Sequence, residues 1–393
     1  MNDDSRRLLA LSVYHCVNDG SLTLLASALP VMRISLGLSF LEIGTVLSLG
    51  LVATMLLQLL FGSLSDRGHA RWILIVGFAG IVAADLVFPA STSFVQVLIA
   101  YVLLRSAAAV YHPVSFSSIG RAYGEDRTAA FGYQGAVGDL GLTIATFSTG
   151  VLSQMWDWRS PFWVWGTVGM ILFTYFGVTM FRHKIGFYVH PVASTSEGVN
   201  VWRNMSVGSA FAVLAAISSI TTTTFILFTG YMPLYFNITE QLSPGASATM
   251  VAAWIGIGVF AGFVTGRLVK RFGGESRILR AMFAIESLLF LIAYISSVQT
   301  TSLSTWRVIR SVAIVLTGIP VFIAFPTING LLGLRMPHRR LGLTYAMNLS
   351  LGLLAASLAT YLTGYLASVM TVGVMLPLLL IFAAVGSIVS LIL

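Results

Sequence analysis

Charge is scarce in this chain. Only 9% of its 393 residues are Asp, Glu, Lys or Arg, against about 25% in soluble domains. That shortage excludes a soluble globular enzyme, and equally a soluble body carried on one anchor. Cysteine is scarcer still. Cys16 is the single thiol, so neither a disulfide within the chain nor a cysteine metal cluster can form. A P-loop lysine motif, a nucleophile elbow and a zinc-protease helix are all missing. With no soluble domain to bind ATP, primary active transport by this chain alone is excluded. His15-x-x-x-Asp19 is one residue short of the acyltransferase pattern. No enzymatic activity, cofactor or resident metal ion is expected, and no cleavable signal peptide.

What the chain has instead is hydrocarbon. It is 57% hydrophobic, with a mean hydropathy of +0.89. Apolar runs of about 20 residues or more, enough to cross ~30 Å of bilayer, fall near 8–32, 40–64, 71–90, 93–120, 127–154, 160–181, 206–236, 246–268, 277–298, 306–334, 341–368 and 372–392. The expected fold is an all-α integral membrane protein of twelve transmembrane helices. One polar stretch, 182–205, separates an N-terminal bundle over 1–181 from a C-terminal bundle over 206–393. The net charge of +8 does not point to nucleic acid, because the basic residues sit in short loops between the spans. With the N-terminus inside, they crowd the cytoplasmic loops from Arg6-Arg7 to Arg339-Arg340. Only Arg33, Arg159, Arg307 and Arg310 fall outside, and Arg105 is left within a span. That bias places both termini in the cytoplasm of a multi-pass protein of the plasma or inner membrane, expected as a monomer. Trp156, Trp158, Trp163 and Trp165 flank an outer loop and fit an interfacial belt.

The first span carries an expensive polar face. His15, Asn18 and Asp19 fall at i, i+3 and i+4, so they share one side of a helix. An Asp at bilayer centre costs about 2.5–3.5 kcal/mol on insertion scales. Such a face should look into protein or an aqueous cavity.

The two halves share a repeat. Gly62-Ser63-Leu64-Ser65-Asp66-Arg67-Gly68 joins spans 2 and 3, and Gly266-Arg267-Leu268-Val269-Lys270-Arg271-Phe272-Gly273 joins spans 8 and 9. Two six-span halves with a parallel repeat describe one large transporter architecture. The first copy resembles the loop signature of the major facilitator superfamily through Gly62, Leu64, Asp66 and Arg67. His15…Asn18-Asp19, this loop, Tyr111-His112-Pro113 and Gly120-Arg121 are together similar to the fosmidomycin-resistance type of drug exporter. The resemblance implies a cytoplasmic gate at Gly62, Asp66 and Arg67. There Asp66 takes hydrogen bonds from the start of helix 11 and pairs with an arginine, for which Arg127 and the Arg339-Arg340 pair are candidates. Lys270 replaces the acid in the second copy. The resemblance also implies that helices 1, 4 and 5 face a central cavity.

At ~1.5 Å per residue, His15, Asp19, His112 and Asp139 reach similar depths in the inner half of the N-terminal bundle. Arg105 lies two turns from His112. With Tyr111 and Asn18 they form the expected proton-coupling and substrate site. Arg105 calls for a carboxylate, Asp139 or Asp19, or else meets an anionic substrate. Burial of a second carboxyl disfavours its charged form, and histidine titrates near neutrality, which suits proton carriage. Pro113, Pro320 and Pro326 should kink their helices. Gly132, Gly135, Gly138 and Gly141 in helix 5 promise a smooth packing face. The Gly-Pro that ends this motif in family antiporters is absent, and Ala145-Thr146 follows.

The C-terminal half offers a weakly polar, aromatic wall: Thr222, Tyr231, Trp254, Asn329, Tyr345 and Asn348. The function expected is secondary transport by alternating access, with proton-coupled efflux of a drug-like or anionic organic solute first. The alternatives are proton-coupled or facilitated uptake of a small metabolite (sugar, organic acid or amino acid) and, behind it, divalent metal ion transport. The partners are the solute, protons and the lipid bilayer, with no nucleic acid.

Overall fold

The computed structural model describes residues 3–123, 126–182, 206–299, 304–336 and 341–393. The expected linker therefore lies almost wholly outside the described residues, as do Arg339 and Arg340. Regular structure among the described residues is helical throughout. A chain this apolar must satisfy its backbone within each segment, and the α-helix does so.

The N-terminal half contains α1 (Asp3–Leu36), α2 (Phe40–Leu64), α3 (Ala70–Val87), α4 (Phe94–Ala108), α5 (Tyr111–Ala122), α6 (Arg127–Met155) and α7 (Ser160–Arg182). The C-terminal half contains α8 (Val207–Ile238), α9 (Pro244–Arg271), α10 (Glu275–Ser297), α11 (Ser304–Leu316), α12 (Gly318–Arg335), α13 (Leu341–Val369) and α14 (Met375–Ser390). Serines start several of them. Ser39 forms a reciprocal capping box with Glu42, and Ser93, Ser206 and Ser243 cap α4, α8 and α9.

Ten helical stretches among the described residues are long and apolar enough to cross a membrane. The first helix is not one of them, since Arg6, Arg7, His15, Asn18 and Asp19 dilute its hydropathy. Phe40–Ala90 counts as one stretch of 51 residues, because only a tight turn at Ser65–His69, kinked at Gly68, separates α2 from α3.

Two expected helices are each broken once. Pro113 has no N–H for the Ala109 carbonyl, and α4 gives way to α5 at Ala109–Val110. Pro320 does the same to the Leu316 carbonyl, and α11 gives way to α12 at Thr317. Pro326 lies inside α12, which continues through it.

The repeat is visible in the turns. Gly68 between α2 and α3 has φ 92°, and Gly273 and Gly274 between α9 and α10 have φ 81° and 108°. Only glycine adopts such values without strain.

The halves meet along two seams. In the first, α2 packs on α13. A Cβ on Gly364 would lie 2.8 Å from the Gly44 Cα, one on Gly62 would lie 2.8 Å from the Gly342 carbonyl oxygen, and Gln58 donates to Ser350 at 2.9 Å between them. In the second, α6 packs on α9. A Cβ on Gly266 would lie 2.7 Å from Ala129 at one end, and Gln154 accepts the Gly245 amide at 2.8 Å at the other. Both seams are therefore in contact from end to end.

The glycines of α6 do not form one smooth face. At ~100° per residue, a three-residue step turns the helix back by ~60°. Gly132 accordingly faces α9 at Gly262, Gly135 meets nothing within 4 Å, Gly138 faces the His15 ring, and Gly141 faces the Cys16 backbone. The tryptophans also divide. Trp156 and Trp163 are exposed, whereas Trp158 and Trp165 are buried, Trp158 against Phe88 and Phe162.

Candidate functional site

A cavity of about 200 Å³ lies between the two halves. Its lining is electrostatically one-sided. His15, Asp19, Arg105, His112 and Asp139 line it from the N-terminal half. The C-terminal half contributes no charged side chain among the described residues. It supplies the phenyl rings of Phe225, Phe322 and Phe325, with Thr222, Thr229 and Asn329 between them.

The helical spacing of α1 sets the centre of the site. His15 Nε2 lies 3.0 Å from Asp19 Oδ2 one turn away, and Asn18 donates to Asp19 Oδ1 at 2.7 Å. From α5, His112 Nε2 reaches the same Oδ1 at 3.3 Å. Asp19 thus gathers three nitrogen donors. Tyr111 stacks on the His15 ring with centroids 4.9 Å apart, and the two imidazoles meet edge to face at 5.4 Å. Ligand-type atoms of His15, Asp19 and His112 all lie within 4.8 Å of one another. Asp19 bridges the two imidazoles, with one carboxylate oxygen toward each.

Sequence reasoning missed Gln134 of α6. Its backbone carbonyl and its amide nitrogen each lie 3.1 Å from His15 Nδ1, and the same amide donates to the Tyr111 hydroxyl. Tyr111 in turn donates to the Leu11 carbonyl at 2.8 Å. Gln134 is 1% exposed. A fully buried amide in an apolar helix is the signal that could have found it.

Arg105 does not meet the carboxylate expected for it. It is 5% exposed, its Nε has no partner, and no acid among the described residues lies within ion-pair distance. Its guanidinium sits 5.7 Å from the Tyr101 ring. Asp19 is taken by the histidines. The Asp139 carboxylate lines the cavity without a hydrogen bond among the described residues, and only its backbone oxygen is engaged, by Thr143 at 2.7 Å.

Of the residues expected on the C-terminal wall, Thr222 and Asn329 line the cavity. The other four pack behind it, with their donor groups engaged elsewhere. Tyr231 donates to the Thr360 carbonyl, Trp254 to Thr317, Tyr345 to the Asn329 carbonyl and Asn348 to Ser218. Asn18 and Tyr111 likewise stand behind the lining and hold the groups that reach it. Two acids lie elsewhere in the membrane interior. Asp85 accepts from Ser21 at 2.5 Å, and Glu286 is 2% exposed with no partner for Oε1.

At one end of the seams, Asp66 closes a second arrangement. Its Oδ1 accepts the Gly342 amide at 3.1 Å and its Oδ2 the Leu343 amide at 3.0 Å. These are orphan donors at the start of α13, and the helix dipole adds to the attraction. Among the described residues, the arginine that pairs with Asp66 is Arg121, from the last turn of α5. Arg127 is committed instead to the Gly333 carbonyl. Arg67 is exposed and pairs with nothing among the described residues. The second copy of the loop also crosses between halves, with charges reversed. Lys270 donates to Asp126, just before α6, at 2.8 Å, and both side chains are about 70% exposed.

Residues 11–360 match the family model described as Major Facilitator Superfamily. Among curated proteins, the chain is similar to the "Fosmidomycin resistance protein" of Escherichia coli (strain K12), with 28% identity over 106 residues. That likeness covers 27% of this chain and 26%, about a quarter, of the relative's own length.

Proposed function

The chain belongs to the major facilitator superfamily, and from that premise we propose that it exports a small organic anion in exchange for protons. The twelve spans of this reading pair α4 with α5 and α11 with α12 as single crossings. Both termini then lie in the cytoplasm of the plasma or inner membrane, and the monomer rocks about the cavity to alternate access. One observation carries the proposal: every ionisable or cationic group of the lining stands on the N-terminal half, and Asp19 gathers His15 and His112 there.

A carboxylate held by two imidazoles can pass protons as its exposure to the two sides changes. Arg105, buried and without a counter-charge, suits the acidic end of a solute. The phenyl rings of Phe225, Phe322 and Phe325 suit its apolar body. Asp66, with Gly62 and Arg121 rather than the exposed Arg67, forms the cytoplasmic gate, which must part for inward opening. Export is supported by the partial likeness to a protein named for drug resistance.

The test is a proteoliposome assay with an imposed pH gradient, a panel of amphipathic organic anions, and Asp19→Asn beside the parent. Proton flux should accompany solute in the parent and not in the variant. Unchanged coupled flux in Asp19→Asn would overturn the reading. The missing Gly-Pro in α6, where Ala145-Thr146 stands, favours a second reading, proton-driven uptake. The direction of accumulation under a given gradient separates the two.

A further inference from the structure

We propose that Gln134 is a positioning residue that offers His15 a hydrogen-bond partner in each of its two protonation states, so that the ring exchanges a proton without orphaning Nδ1. The inference rests on the proton-coupled reading above and assigns the exchange to His15 rather than His112.

Nδ1 of His15 faces two atoms of one residue at the same 3.1 Å: the Gln134 backbone carbonyl oxygen and the amide nitrogen Nε2. A neutral imidazole that gives its one proton from Nε2 to Asp19 carries a lone pair on Nδ1 and needs a donor there. The amide supplies it. An imidazolium carries N–H at both positions and needs an acceptor at Nδ1. The carbonyl supplies that.

The amide is not free to turn its oxygen inward. The Tyr111 hydroxyl spends its proton on the Leu11 carbonyl, so towards Gln134 it can only accept. The nitrogen must face it, and the second amide hydrogen then points to His15. The carbonyl is reachable because residue 138, one turn on, is glycine. A Cβ there would fall onto the His15 ring.

The other ionisable and charged groups around this ring are Asp19 and Cys16 from α1, Tyr111 and His112 from α5, and Asp139 from α6, with Arg105 of α4 on the same cavity. Asp19 and Asp139 act on His15 electrostatically. None of these groups hydrogen-bonds to Nδ1 among the described residues. His112 lacks such provision altogether: its Nδ1 is buried with no partner, which penalises any change at that atom.

The experiment reads His15 directly and needs no solute. Tag-free protein with ¹⁵N-labelled histidine rings, in lipid nanodiscs, is titrated by NMR, with His15→Asn assigning one signal among the six histidines. The neutral His15 should carry its proton on Nε2 and show a hydrogen-bonded Nδ1. Gln134→Met keeps the carbonyl and deletes the donor, so the titration midpoint of His15 should move to higher pH by about one unit, tenfold in proton affinity. Gln154→Leu, which loosens the far end of the same helix, should leave the midpoint in place. A neutral parent ring protonated on Nδ1 overturns the proposal, and so does an unmoved midpoint in folded Gln134→Met. If that variant does not fold, the parent's tautomer decides alone. Should the midpoint move while Asp19→Asn still couples normally, the role of Gln134 stands and proton-coupled transport falls.

Discussion

Arg121 and Asp66 form an ion pair across the foot of the N-terminal half, and the same carboxylate holds the first amides of α13 in the other half. One side chain therefore ties three elements together. Hydrogen bonds to a charged group are worth about 1.5–3 kcal/mol each. Asp66→Asn should raise the share of molecules open at this end at least tenfold. Spin labels at Arg67→Cys and Phe272→Cys, in a Cys16→Ser background, would show it as a longer distance population by double electron–electron resonance. Lys270→Ala removes an exposed pair worth only about 0–1 kcal/mol and should leave the distances nearly unchanged.

Gly138 and Gly135 make a controlled pair. A Cβ at 138 would overlap the His15 ring, whereas at 135 nothing lies within 4 Å. Gly138→Ala should destabilise by about 1–3 kcal/mol through overpacking. Gly135→Ala should be neutral or slightly stabilising, as expected of Ala for Gly in a helix. Thermal unfolding in detergent, read by intrinsic fluorescence, compares them.

Arg105 is where the solute's charge should register. Arg105→Gln is expected to raise the apparent KM for an organic anion about tenfold or more, with the maximal rate far less affected. A neutral analogue of the same shape should bind parent and variant alike. Equal losses for the anion and its neutral analogue would show that Arg105 is structural.

The two cavity acids should behave differently. Asp19→Asn breaks contacts with His15, His112 and Asn18 at once, and should cut gradient-driven flux at least tenfold while leaving solute exchange at equal pH measurable. Asp139→Asn removes a carboxylate that makes no hydrogen bond among the described residues and should cost less. Parallel flux and counterflow assays on the two variants settle the order.

Much of this was legible in the sequence. Apolar run length gave the helices, and the i, i+3, i+4 spacing of His15, Asn18 and Asp19 placed them on one face. Depth arithmetic brought His112 and Asp139 to the level of Asp19, because rise per residue is nearly constant. Azimuth is not written so plainly. Tyr231, Trp254, Tyr345 and Asn348 had suitable chemistry but bond to neighbouring helices. Arg105 was given a carboxylate because charge in a membrane demands one, and it stands without one: the histidines hold Asp19, and Asp139 makes no ion pair with it among the described residues. Arg121 was passed over for Arg127 and the Arg339-Arg340 pair, since loop arginines look alike until the end of α5 is turned toward Asp66. Gln134 escaped notice because an uncharged amide barely perturbs hydropathy.

The opposite signs of Asp66 and Lys270 bear on ancestry. Two halves descended from one duplicated gene would begin self-complementary, each able to pair with its own copy. Here, two N-terminal halves brought together would set Asp66 against Asp126, acid facing acid. Lys270 instead sets a base against Asp126, so the charge pattern favours pairing of unlike halves over like ones. Expressed as separate pieces, 1–181 and 206–393 should co-purify with each other and not with themselves.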